Sequence, residues 1–189
     1  MKSIVCALLL TGLASAAVDG VVNNQTVGKP QPGAAITLVE LTGGMKTVGS
    51  VKSDNDGKFH FDATLSPSTP HLIQAMHQGV TYNRVLPPGT DASALALEVF
   101  DSSAKAAEAR VTQDMILLER SDKTLAVNET VIYTNTGKTT FQAPDGTLKI
   151  QVPPSVEEVK LRVTAPQGMP ISRDAEKGKE AGIWLVRYP

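Results

Sequence analysis

Ser53-Asp54-Asn55-Asp56-Gly57-Lys58-Phe59-His60-Phe61 is the stretch on which the fold turns. Asp and Asn side chains bond the backbone that follows them and so favour turns, and glycine supplies the positive φ that a tight turn needs. Phe59 and Phe61 are two residues apart, so in a strand both rings point to one face. The stretch reads as a tight hairpin turn followed by a half-buried strand. Its acidic, glycine-containing look also suggests a calcium loop. A full EF-hand-type loop needs a first ligand two residues earlier and a Glu at its twelfth position. Lys52 and Ala63 stand there, so the turn reading is preferred. Asp54 and Asp56 stay only as weak candidate cation ligands.

The same pattern extends in both directions. Upstream, Val18-Asp19-Gly20-Val21-Val22 reads as a strand, and Asn23-Asn24 and residues 28–33 as turns. Residues 34–41 form a second strand, with Ile36 and Leu38 on one face and Val39 and Leu41 on the other. Two apolar faces suggest a central position in a sheet. Residues 46–53 form a third strand. Downstream, 71–75 and 80–85 pair around Gln78-Gly79, and Pro87-Pro88-Gly89 closes that hairpin. Leu95, Leu97 and Val99 alternate with Ala96, Glu98 and Phe100. Short apolar runs between Gly, Pro, Asn and Asp are the signature of a β-sandwich.

Residues 101–110 break the pattern. They are rich in Ala, Lys and Glu, which propensity alone would make helical. They carry no apolar stripe, so a linker over 104–112 is expected between a first domain, 17–103, and a second, 113–189. The second half resumes with strands over 115–119, 125–135, 139–142, 147–152, 159–163 and 183–188. Pro144-Asp145-Gly146 and residues 165–170 fall between them. No repeat with a period of 20–50 residues is visible.

Met1-Lys2-Ser3, then an apolar run over 4–13, then Ala14-Ser15-Ala16 matches a secretory signal peptide, cleaved between Ala16 and Ala17. The run is too short to span a bilayer, which takes about 20 residues. The expectation is export, to the periplasm, the outer surface or the extracellular space. Cleavage would remove Cys6, the single cysteine, so no disulfide framework or thiolate zinc site is expected.

The 189 residues carry 18 Lys+Arg and 19 Asp+Glu, and this near balance argues against a nucleic-acid binder, which needs a basic face. The hydrophobic fraction of 41% is globular and not disordered. His60, His71 and His77 lack the spacing of a zinc site: on one strand His71 and His77 would stand roughly 20 Å apart. There is no G-x-S-x-G elbow and no phosphate-binding glycine loop. Catalysis is disfavoured, and no catalytic residue, metal or cofactor is expected. The eight aromatics after residue 17 are mostly needed for the core, and Tyr82, near a hairpin end, is the best candidate for an exposed ligand contact. Asn24-Gln25-Thr26 and Asn128-Glu129-Thr130 fit the N-glycosylation pattern.

Gly20-Val21-Val22, Gly28-Lys29-Pro30-Gln31-Pro32-Gly33-Ala34 and the opening stretch from Ser53 to Phe61 together resemble a carboxypeptidase regulatory-like domain. In that family the last stretch usually reads T-D-x-x-G-x-F-x-F, and Ser53 stands here for the Thr. The resemblance implies an all-β fold: a seven-stranded Greek-key sandwich of the transthyretin-like, carbohydrate-binding-like type. Val163-Thr164-Ala165-Pro166-Gln167-Gly168-Met169-Pro170-Ile171 is similar to the module that follows this domain in exported bacterial proteins of unknown role. That module tends to continue with further strands and a membrane anchor. The implied second half is therefore an incomplete β-sandwich, and an anchor is expected only if the chain continues past Pro189. The resemblance does not confer peptidase activity, because the zinc-binding His-x-x-Glu of the catalytic domain is absent.

The expectation from sequence is a non-catalytic exported module that is structural or binds a protein at the cell envelope. The alternatives are a carbohydrate-binding module, whose partner is an envelope polysaccharide, and a secreted enzyme or the accessory domain of one.

Overall fold

The computed structural model describes residues 17–106, 108–122, 124–144, 148–156, 158–164 and 171–186. Residues 1–16, which read as a signal peptide ending at Ala16, the end of the turn at Pro144-Asp145-Gly146, the stretch 165–170 and Tyr188 lie outside them. The fold is all-β, with no helix among the described residues. The chain divides into two units. One comprises residues 17–23, Lys29–Met76 and Tyr82–Glu98. The other comprises Asn24–Gly28, His77–Thr81 and the chain from Val99 onward.

The first eight strands are β1 (Val18–Asn24), β2 (Lys29–Pro30), β3 (Ala35–Glu40), β4 (Lys46–Lys52), β5 (Lys58–Phe61), β6 (His71–His77), β7 (Val80–Leu86) and β8 (Leu95–Val99). They form two four-stranded sheets. In one, β1 pairs with β2, β5 and β8; in the other the order is β4-β3-β6-β7. β3 is interior to its sheet, as its two apolar faces predict: Ile36 and Leu38 are fully buried, and Val39, past a register shift, is buried as well. The strict alternation over β8 buries Leu95, Leu97 and Val99.

The opening stretch lies at the centre of this core. Phe59 and Phe61 are both buried, and their rings meet edge to face at 6.1 Å. Phe59 stands opposite Gly20 on β1 and its ring covers that bare backbone. Phe61 reaches toward Gly49 on the other sheet. Asp54 Oδ1 accepts the backbone N–H groups of Asp56 and Lys58, and Gly57 takes φ 73°. Buried Ser53 accepts the N–H of Ala34 and donates to the carbonyl of Gln31, which pins the 28–33 turn to the end of β4.

The expected hairpin needs correction. β4 and β5 do not pair with each other: β4 pairs with β3, and β5 with β1. The turn carries the chain from one sheet to the other. Its Asp and Gly fix the local bend, and the partner of each flanking strand is set by non-local packing.

The remaining strands are β9 (Ser102–Ser103), β10 (Ala109–Ser121), β11 (Thr124–Asn135), β12 (Thr140–Phe141), β13 (Leu148–Gln151), β14 (Lys160–Val163), β15 (Ile171–Asp174), β16 (Glu176–Lys177) and β17 (Ile183–Val186). They form small sheets: β10-β11, the parallel pair β12-β9, β13-β17-β16, and β14-β15. Trp184 and Val186 on β17 are buried, and Lys177 Nζ lies 5.4 Å above the Trp184 ring. Part of the stretch 104–112, read as a linker, is in a strand. Ala109 and Arg110 already pair with Asn135 and Thr134, so ladder hydrogen bonding overrides their helical propensity.

Candidate functional site

Three places gather chemistry-bearing side chains. The first lies in the second unit. Asp101, just past β8, receives three side-chain donors on one oxygen: Asn24 Nδ2 at 2.7 Å, His77 Nε2 at 2.8 Å and Gln78 Nε2 at 3.2 Å. A carboxylate only accepts, so His77 carries its proton on Nε2. Hydrogen bonds first from His77 and then from Asn24 hold the Asp101 carboxyl below the usual carboxylate range. Gln78 sits in the two-residue loop of the β6–β7 hairpin, where Gln78 and Gly79 both take positive φ, the pattern of a type I′ turn. Its Oε1 accepts both the N–H and the hydroxyl of Ser102. Thr26 completes the network. Its N–H donates to Asn24 Oδ1, its Oγ1 accepts the N–H of Asp101, and its hydroxyl donates to the Lys138 carbonyl.

A His–Asp couple can orient a general base, but here the imidazole nitrogen that faces the carboxylate shares it with two amides, and the Ser102 hydroxyl turns to Gln78 instead of the imidazole. The arrangement anchors: it ties the end of β1, the β6–β7 loop and the exit of β8. It also removes Asn24 as an acceptor for a glycan, since that residue is buried and its amide nitrogen is committed to Asp101. Asn128, on β11, is exposed.

The second place is on the first unit. Asp19 and His60 face each other across the β1–β5 ladder. His60 Nδ1 lies 2.7 Å from Asp19 Oδ1, and Nε2 lies 2.8 Å from Asp62 Oδ1. The hydrogen bond to Asp19, then that to Asp62, raises the His60 pKa above its ordinary value. A group whose folded pKa is raised stabilises the fold fully below its unfolded pKa, about 6.5, and loses that contribution as pH rises through the folded value. The deficit of His60→Gln relative to the wild type, read from urea midpoints, should therefore be larger near about pH 6 than near about pH 8.5. All three side chains are substantially exposed, so the effect is small. A deficit independent of pH would refute the bridge.

The three histidines do not converge. His60 bridges two carboxylates, His77 meets Asp101, and His71 is buried on β6. Among the described residues no group of three or more His, Cys, Asp or Glu is placed to hold a metal. Asp54 is engaged with its own turn, and Asp56 stands 3.9 Å from Lys58 at the surface. Tyr82 is half-buried on the edge strand β7. Lys105, Glu108, Asn135, Lys138 and Phe141 line a cavity of about 80 Å³ in the second unit.

The third place is the β10–β11 hairpin, and it has no counterpart in the sequence reading beyond the two strands. Asp114 to Ser121 pair without interruption with Val131 to Thr124. Opposed residues share a face, so one face carries Ile116, Leu118, Val127 and Leu125, and the other Met115, Leu117 and Ile132. Each of these side chains is between 45% and 59% exposed. Monomeric soluble proteins rarely leave so many large aliphatics together in water, and such patches mark interaction sites.

Comparison of the chain with protein-family models and with curated proteins finds no match in either. No helix among the described residues is long and apolar enough to cross a membrane.

Proposed function

We propose that this chain is a non-catalytic exported β-sandwich protein of the carboxypeptidase regulatory-like kind, serving as a protein-interaction module at the cell envelope. The signal-like residues 1–16 support export. The two sheets of the first unit, with Phe59 and Phe61 inside, support the family resemblance. The observation that carries the reading is the hairpin, which leaves aliphatic side chains on both faces in solvent. The polar clusters elsewhere are spent on tying strands together.

A protein partner is favoured over a polysaccharide by where the aromatics lie. A sugar platform uses several exposed rings on one face, yet among the described residues Phe59, Phe61 and Trp184 are buried, Tyr82, Phe100 and Phe141 are half-buried, and Tyr133 alone is exposed. The test is a photo-crosslinking amino acid at Leu118 in the cells that make the protein, beside a glycan array probed with the purified chain. The expected result is a discrete adduct with an envelope protein, abolished by Ile116→Asp, and a blank array. Specific glycan binding with no adduct at Leu118 would overturn the reading.

A further inference from the structure

The hairpin has two edges as well as two faces. Among the described residues β10 and β11 pair only with each other, so each presents an outer row of backbone N–H and C=O groups. A long apolar edge of this kind is a template for another strand.

The two edges differ in what they can pair with. The register shift between Val111 and Gln113 ends the regular part of β10, which then runs from Gln113 to Ser121. That run is centred on Leu117, and two of its three charges, Asp114 and Arg120 but not Glu119, are arranged about the same centre. Asp114 lies three residues before Leu117, and Arg120 three residues after. Antiparallel pairing with a second copy about Leu117 sets Asp114 opposite Arg120 twice, by symmetry, and Ile116 opposite Leu118 twice. Moving the centre to Ile116 sets Asp114 against Leu118 and Arg120 against Thr112. Moving it to Leu118 sets Asp114 against Asp122. β11 offers no equivalent: between Thr124 and Asn135 its one charge is Glu129, and no cation answers it.

We infer that the chain self-associates as a two-fold dimer through edge-to-edge antiparallel pairing of β10, in the register that sets Asp114 against Arg120 of the second copy. The inference rests on the reading of the hairpin as the interaction surface and gives the outer edge of β10 to a second copy, apart from the faces assigned to the envelope partner. An isologous interface must be self-complementary, and Asp114 and Arg120, equidistant from Leu117, meet that condition, with Glu119 falling opposite the aliphatic Met115. The product is a four-stranded sheet, β11-β10-β10-β11, in which the free edge of β10 is satisfied. Cross-strand pairs of opposite charge stabilise such a ladder, and like charges directly opposed destabilise it.

The test is sedimentation equilibrium on the whole chain with two charge reversals, Asp114→Arg and Arg120→Asp. Both positions are exposed, and circular dichroism checks that each variant keeps its strands. The wild type should be dimeric. Each single variant opposes like charges twice, which should weaken self-association by about tenfold or more. An equimolar mixture of the two variants restores both unlike pairs, so it should form a one-to-one heterodimer with near wild-type affinity. The variant carrying both changes should again form its own dimer.

A wild type that stays monomeric up to about 1 mM overturns the inference. So do single variants that dimerise like the wild type, or a mixture that fails to associate. The outcomes separate this inference from the reading beneath it. A monomeric wild type that still crosslinks to an envelope protein through Leu118 removes the dimer and keeps the interaction module. Rescue in the mixture without any envelope adduct keeps the dimer and removes the envelope partner.

Discussion

Phe59→Ala and Phe61→Ala should each destabilise the chain by about 3–5 kcal/mol, measured from the denaturant midpoint of strand signal. Both rings are at or below 5% exposure, and they pack against each other at 6.1 Å with planes 71° apart. Each also fills space that a glycine leaves open: Phe59 over Gly20 of the paired strand, and Phe61 against Gly49 of the opposite sheet. Truncation removes the transfer term and leaves a cavity that two sheets cannot close without sliding. The two substitutions share one cavity, so the double variant should cost less than their sum. Lys58→Ala, on the exposed face of the same strand, should stay within about 0.5 kcal/mol. A loss below about 1 kcal/mol at either Phe would show that the strand is not buried as described.

Much of this core is legible in the residues alone, and the reason is periodicity. On β5 and β8, large apolar residues occupy every second position and buried and exposed positions alternate without exception, so the buried set follows from period two. On β3 the two apolar faces place the strand inside a sheet. What the pattern cannot carry is pairing. Asp54 and Gly57 specify a bend whether the chain re-enters the same sheet or crosses to the other, and non-local pairing, here of Lys58–Phe61 with Val18–Val21, decides between them. The hairpin shows the same limit. Met115-Ile116-Leu117-Leu118 is a continuous apolar run, which periodicity reads as a strand covered on both faces. Here the run is exposed on both faces, and sequence carries no separate signal that distinguishes an exposed apolar run from a covered one.

The anchoring network was hidden for a different reason. Asn24, His77 and Asp101 are far apart in the chain, and each alone fits a turn or strand end. Their convergence depends on three strand ends meeting, which no local spacing announces. Sequence suggests Tyr82 and the Asp54-Asp56 pair because they stand out locally. The structure gives Asp54 to its turn and leaves Tyr82 half-buried.

Glycine is where backbone geometry makes the second large demand. Gly20→Ala should destabilise by about 3 kcal/mol or more, the upper part of the range for overpacking. A methyl group at Gly20 would run into the Leu95 carbonyl of β8 and come within 2.5 Å of the Phe59 ring. The carbonyl belongs to the backbone of a paired strand, so it cannot rotate away. Displacing Phe59 instead would sacrifice the packing that makes the ring worth burying. Gly57→Val should fail by another route. At φ 73° a β-branched side chain is strained, and its Cβ would sit 2.7 Å from the Val22 carbonyl and 2.9 Å from the Pro30 ring. That approach also disturbs the hydrogen bond from Val22 N to the Gly57 carbonyl. The two mechanisms separate in a paired experiment. If Phe59→Leu thins the ring, it should recover part of the loss in Gly20→Ala, because that clash is partly with a side chain. It should recover nothing in Gly57→Val, whose obstacles are φ, a carbonyl and a proline. Equal rescue of both would mean that the Gly57 cost is packing in the core and not strain in the turn.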